Sequence, residues 1–267
     1  MTKLLLIAAD TIRALLHQRL LVALMLLALG LTAIFSVLAT QAKDVILEAA
    51  ERAAEMEGTD MDEEQLEQAR RSMDAAGSFF LAALYWFTAL GGSLVALYIC
   101  CTAVSKDIRH GTIPIILAKP VSRTQFLLGR YCGAISVLLG YSVLIAAALI
   151  AFTYANQLEM NVAARYAPWL MFCQSLMVGS VGLLLSLLMH PLIAAILALF
   201  ATSWFFSPPN PLYFILPSYD RFNVFSLISG GRLITLEDVV ILTFYAFDVT
   251  AIFLLLALWR FRSKEVL

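Results

Sequence analysis

The residues able to do chemistry in this chain are few, and they sit between long apolar runs. The richest group is Ser105-Lys106-Asp107-Ile108-Arg109-His110-Gly111-Thr112, which continues through Ile113-Pro114-Ile115-Ile116-Leu117-Ala118-Lys119-Pro120 to Val121-Ser122-Arg123. Its composition is that of a short mixed helix bounded by Pro120 and followed by a turn. It displays Ile113, Ile115, Ile116 and Leu117 beside cations, which makes either a docking surface for a partner or a patch that folds back onto a membrane. Asp248 is the second candidate, an acid inside an apolar run, where an ionised group is costly and functional by default. There it would line a substrate route or relay a proton; the plainer alternative is a protonated carboxyl hydrogen-bonded to Tyr245 or to a neighbouring helix. Cys100, Cys101, Cys132 and Cys173 lie in apolar runs without metal-binding spacing and are expected to act as small packing residues. His17, His110 and His190 are far apart and form no HExxH pattern, so no metal site is expected. No G-x-x-x-x-G-K-S/T phosphate cradle occurs, because Gly91-Gly92 and Gly230-Gly231 lack the following lysine. No catalytic residue is assigned, and the chain is not expected to hydrolyse a nucleotide by itself.

The elements that position these residues follow from composition. Of 267 residues, 61% are hydrophobic and 14% charged, with mean hydropathy +0.86, far above the level of a soluble domain. Lipid must be the solvent. The net charge of -1 gives no electrostatic footprint for nucleic acid. No removable signal peptide is evident, so the first apolar segment is expected to stay as an anchor. Residues 2–19 read as an amphipathic helix in the membrane interface, since Lys3, Asp10, Arg13 and His17 fall within about 80° of arc at 100° per residue. Six segments are long enough to cross a bilayer, at 20–40, 78–104, 126–155, 164–190, 191–206 and 236–261. The fifth is the shortest, and the Pro-rich aromatic stretch after it cannot continue a regular helix.

Charge sets the orientation. Lys106, Arg109, Lys119, Arg123 and Arg130 oppose the single acid Asp107 around the loop 105–125, which the positive-inside rule makes cytoplasmic. Both termini then lie inside, in agreement with Lys3, Arg13 and Arg19 at one end and Arg260, Arg262 and Lys264 at the other. The segments 41–77 and 207–235 are expected outside. Tyr154, Tyr166 and Trp169 fall at outer boundaries, with Tyr131 and Trp259 near inner ones. The segment 41–77 holds eleven acids and four bases. Its alanine-rich period, a break at Gly58, and Asp60 with Glu63 as a capping box predict a helical hairpin extending the first two spans. Its acidity suits a solvated face, and secondarily an external protein partner. Gly129 with Gly133, and Gly179 with Gly182, mark close helix packing. Phe87, Tyr98, Met171 and Met177 either line an apolar pathway or, by default, pack.

The loop residues resemble the permease subunits of ATP-binding-cassette transporters, specifically the type 2 exporter family. After the second span its members carry an acid, Gly-Thr, aliphatic residues, a Pro-Val-Ser-Arg-like turn and a Leu-Gly-Lys or Leu-Gly-Arg start to the third span. Asp107, Gly111-Thr112, Ile115 to Leu117, Pro120 to Arg123 and Leu128 to Arg130 occupy those places here. The stretch Leu216 to Asn223 also looks like a segment of some relatives. Asp107 stands where Glu is more usual, and Pro114 enters the helix and implies a shorter one. The resemblance implies an all-α membrane permease with an interfacial helix, six spans and a coupling helix. It makes Lys106, Asp107, Arg109, Gly111, Thr112, Ile115, Ile116, Leu117, Pro120 and Arg123 the residues that engage a separate ATPase.

It further implies two ATPase copies that hold ATP and Mg, no cofactor on this chain, a second permease copy or a sister permease, and a bacterial inner membrane. The expected function is ATP-driven export by alternating access. A rival reading transmits force to an external partner without transport. A third, an ATP-independent channel or carrier, is disfavoured because Asp248 is alone among acids within the spans, Glu237 and Asp238 standing at the start of the last one.

Overall fold

The computed structural model describes residues 2–57, 63–109, 122–155, 162–202, 219–222 and 235–263. Among the described residues there is no strand. The chain forms helix α1 (Thr2–Leu16), α2 (Arg19–Glu57), α3 (Glu63–Arg109), α4 (Arg123–Ala155), α5 (Val162–Leu188), α6 (Pro191–Thr202), a 3-10 turn (Tyr219–Phe222) and α7 (Leu236–Ser263).

Among the described residues, five helices are long and apolar enough to cross a membrane: Met25–Ile46 within α2, Ala75–Ser105 within α3, Arg123–Ala155, Arg165–Leu188 within α5, and Leu236–Ser263. The expected fifth span, at 191–206, is represented by α6, whose 12 residues span about 18 Å at 1.5 Å per residue and fall short of ~30 Å of hydrocarbon. Residues 203–206 lie outside the described residues. The helices α2 and α3 have 39 and 47 residues, roughly 58 and 70 Å, so each continues well past its apolar portion as one rod. Gly58 and Asp60, the expected break and cap between them, lie outside the described residues.

Helix α5 is the centre of the bundle. It packs against α3, α4, α6 and α7, and every residue from Leu170 to Leu183 is buried. Small residues allow this. A Cβ added at Gly179 would meet Cys100 Sγ at 2.9 Å, and one at Gly182 would meet Leu97 Cδ2 at 2.7 Å and Cys101 Sγ at 3.0 Å. The α3–α5 contact is therefore backbone-close, as small residues permit between helices in lipid. The Cys101 thiol donates to the Gly182 carbonyl at 3.3 Å, while Cys100 and Cys173 are buried and free.

Helix starts are marked by local chemistry. At α4, the Ser122 backbone N–H donates to Gln125 Oε1 and the Gln125 N–H to Ser122 Oγ, both at 3.2 Å, a reciprocal capping box. At α7, the Thr235 N–H donates to Asp238 Oδ2 at 3.0 Å and the Asp238 N–H returns to Thr235 Oγ1 at 3.3 Å. Glu237 and Asp238 at the start of α7, with Arg260 and Arg262 at its end, also match the helix dipole.

Candidate functional site

The 12 residues 110–121, which include Gly111, Thr112, Ile115, Ile116, Leu117 and Pro120, lie outside the described residues. Their two feet are described. Asp107 stands in the last turns of α3, flanked by Lys106 and Arg109, and Arg123 opens α4. The carboxylate of Asp107 meets the Arg130 guanidinium at 2.7 Å, with both side chains largely buried, at 19% and 14% exposure. A loop that leaves α3 and re-enters at α4 is therefore closed at its base by an ion pair between the two helices.

Arg130 ties in a third element. Its guanidinium lies 3.9 Å from the carboxylate of Asp10 on α1 and donates to Thr11 Oγ1 at 3.3 Å. Helix α1 reaches this point because Gly133, one turn further along α4, offers no side chain. A Cβ there would sit 2.6 Å from Thr11 Cβ and 2.9 Å from the Ala8 carbonyl oxygen. Arg130 also lies over the Phe126 ring, 5.5 Å from its centroid, an arrangement that favours a cation held over a π face.

Helix α7 closes the same end of the bundle. Phe126 stacks on Phe261 at 6.2 Å. Arg262 donates to Thr124 Oγ1 at 2.8 and 3.1 Å, and Arg123 donates to the Arg262 carbonyl at 3.2 Å. Four elements, α1, α3, α4 and α7, thus converge on the stretch from Arg123 to Gly133. Asp107, one of the residues expected to engage a separate ATPase, is paired within the chain to Arg130. Sequence reasoning placed Arg130 among the orientation charges and Asp10 on the polar face of α1, and paired neither of them with Asp107 or with each other. The available signal was an arginine buried one turn into an apolar helix, which must find an acid. Tyr131, expected at the headgroup level, is 4% exposed, and its hydroxyl donates to the Leu176 carbonyl at 3.4 Å.

A second polar layer lies at mid-span. The Tyr141 ring of α4 fits against Gly91 and Gly92 of α3, where added Cβ atoms would meet Tyr141 Oη at 3.2 Å and Cε1 at 3.3 Å. The double glycine is thus a packing notch for Tyr141. Gln174 of α5 is fully buried, and neither its Nε2 nor its Oε1 has a hydrogen-bond partner among the described residues. Met171 and Met177 are buried, whereas Phe87 is 39% exposed and packs on Phe35 at 5.5 Å.

Asp248 lies on the exposed face of α7. Tyr245, its expected partner, is engaged elsewhere: the Arg221 guanidinium sits 4.6 Å over its ring and Phe222 packs beside it at 6.2 Å. Among the described residues no hydrogen bond or ion pair reaches the Asp248 carboxylate. An ionised aspartate at the centre of a bilayer costs about 2.5–3.5 kcal/mol on insertion scales.

Residues 5–266 match a family model described as ABC-2 family transporter protein. Comparison with individual curated proteins finds no match.

Proposed function

Because the chain belongs to the ABC-2 family of transporter proteins, as a multi-pass membrane permease subunit, we propose that it couples ATP hydrolysis by a separate ATPase to export of a substrate across a bacterial cytoplasmic membrane. Permeases of this family are membrane subunits that normally leave catalysis to a partner. Two ATPase copies would hold ATP and Mg, and two permeases, identical or sister chains, would form the pathway. In this reading α6 continues through 203–206 as the fifth of six spans, both termini are cytoplasmic, α1 lies along the inner interface, and α2 and α3 project outward as an acidic hairpin.

The observation that carries the reading is the closed base under residues 110–121. In this reading a push on that segment would be resisted by the ion pair of Asp107 and Arg130, which ties α3 to α4. It would pass to α1 and α7 through their contacts with α4. Ile115, Ile116 and Leu117 would supply the apolar contact with the ATPase, and Lys106, Arg109 and Arg123 are cations that flank them in sequence.

The test is affinity purification of the tagged chain in mild detergent, followed by mass spectrometry of co-purifying proteins. An ATPase subunit should accompany the wild-type chain and be lost in Ile115→Asp with Ile116→Asp, which leaves the ion pair intact. A folded, abundant permease without any ATPase would overturn the reading. Force transmission through the 41–77 hairpin is distinguished by deleting the hairpin and asking whether ATP-dependent substrate accumulation in vesicles survives.

A further inference from the structure

Asp248 stands ten residues after Asp238 and twelve before Arg260, the charged groups that bracket the apolar part of α7. At 1.5 Å per residue it is about 15 Å from one and 18 Å from the other, which places it near the middle of the hydrocarbon. A carboxylate at this depth is stabilised by a cation or a strong donor. The basic residues within the spans, Arg130, Arg165 and Arg260, stand near helix ends. Arg221 is placed differently. Its guanidinium lies 4.6 Å over the ring of Tyr245, which is nine residues, or about 14 Å, past the start of α7 at Leu236. The turn Tyr219–Phe222 therefore reaches along α7 to within one helical turn of Asp248.

Two contacts fix the turn at that depth. Phe222 is 1% exposed and packs beside Tyr245 at 6.2 Å, and the turn also touches α5. Tyr245 and Asp248 are three residues apart, and such residues are neighbours on a helix surface, with Cβ atoms about 5–6 Å apart. An arginine offers five N–H donors at the end of a long side chain. From the face of Tyr245 it reaches the next turn by side-chain rotation alone, with Phe222 still in its packing site. We propose that Arg221 is the counter-ion of Asp248, and that the pair latches the turn Tyr219–Phe222 to α7 inside the bilayer, with the Tyr245 ring as the platform from which the guanidinium reaches the acid. The latch lies about 21 Å along α7 from Arg262, which marks the end near residues 110–121, so the proposal is independent of their coupling role.

The experiment is a double-mutant cycle on the thermal midpoint of the full chain in lipid nanodiscs. Asp248→Asn and Arg221→Gln should each lower the midpoint by about 2–4 °C, the scale of one intramembrane polar contact in a chain of this size. Asp248→Asn should have less than half that effect in the Arg221→Gln background. It should keep its full effect in the Tyr245→Phe background, which retains the ring and removes the hydroxyl. Exchanging the charges, Arg221→Asp with Asp248→Arg, should regain at least half of the midpoint lost by the worse single reversal. Where a reversed single yields no monodisperse protein, recovery of that yield in the exchanged double reads the same rescue. An equal effect of Asp248→Asn with and without Arg221, a midpoint raised by Asp248→Asn, or no rescue by charge exchange would overturn the proposal. Loss of the Asp248→Asn effect in Tyr245→Phe would assign the acid to the tyrosine hydroxyl and overturn it as well.

Discussion

Arg130 joins three helices at one point. It balances Asp107, approaches Asp10, donates to Thr11 and rests on Phe126, so its removal leaves an acid uncompensated in a mostly buried site. Breaking a fully buried pair costs roughly 3–5 kcal/mol. The residual exposure here argues for about 2–3 kcal/mol lost by Arg130→Leu, read as a lowered thermal midpoint in detergent. Asp107→Leu should cost less in the Arg130→Leu background than alone, with a coupling of roughly 1–3 kcal/mol in a double-mutant cycle. Equal costs in both backgrounds would mean that the ion pair contributes nothing. Asp107 was legible in the sequence as an important charge, because the loop's acid stood alone among bases. Its partner was not: positive-inside reasoning counts Arg130 among orientation charges and says nothing of which acid it finds once α1 folds back.

At the scale of elements, glycine positions decide which helices touch. Gly133 admits α1, and Gly133→Leu would drive a side chain into Thr11 and the Ala8 backbone. We expect α1 to detach, with a loss of about 1–3 kcal/mol from overpacking. Alkylating-reagent access at a cysteine introduced at Ala8 should rise in that variant, and less so in Gly133→Ala, which adds only the Cβ. The Gly129 and Gly133 spacing announced a close approach, but a spacing cannot name the approaching partner, and α1 is amphipathic enough to have been assigned to the membrane surface alone. Gln174 gives the opposite lesson. Both amide atoms are unpaired within the protein, and each buried orphan costs about 1–3 kcal/mol. Gln174→Leu should therefore raise the thermal midpoint, whereas a lowered one would mean that the amide is satisfied by bound water. Apolar periodicity alone could not flag this residue, because it sits on the most completely buried helix, where every face is core.

Taken as a whole molecule, the chain is a helical bundle whose long segments were readable from hydropathy, since lipid forces backbone hydrogen bonds into helices. Helix ends were less readable. The Ser122 and Gln125 capping box was present in the sequence, yet the turn before it was assigned through Pro120 instead, because a proline is the louder signal. The fifth expected span was the weakest, because its apolar run is short and ends just before Pro208 and Pro209. The four elements joined at Arg123 to Gly133 form a base through which a load on residues 110–121 would be shared. Disturbing it should uncouple transport from ATP use: Arg130→Leu complexes that still retain the ATPase are expected to hydrolyse ATP while moving less substrate per ATP in vesicles. Unchanged stoichiometry would confine Arg130 to stability.

The central claim, that residues 110–121 dock on a separate ATPase, is tested most directly by introducing Ile115→Cys and measuring disulfide or short-linker crosslinking to co-purified protein, with and without ATP and Mg. The account predicts one adduct, to an ATPase subunit, whose yield changes with nucleotide. Absence of any ATPase adduct from a folded permease that still binds its partners elsewhere, or crosslinking only to lipid or to this chain itself, would contradict it.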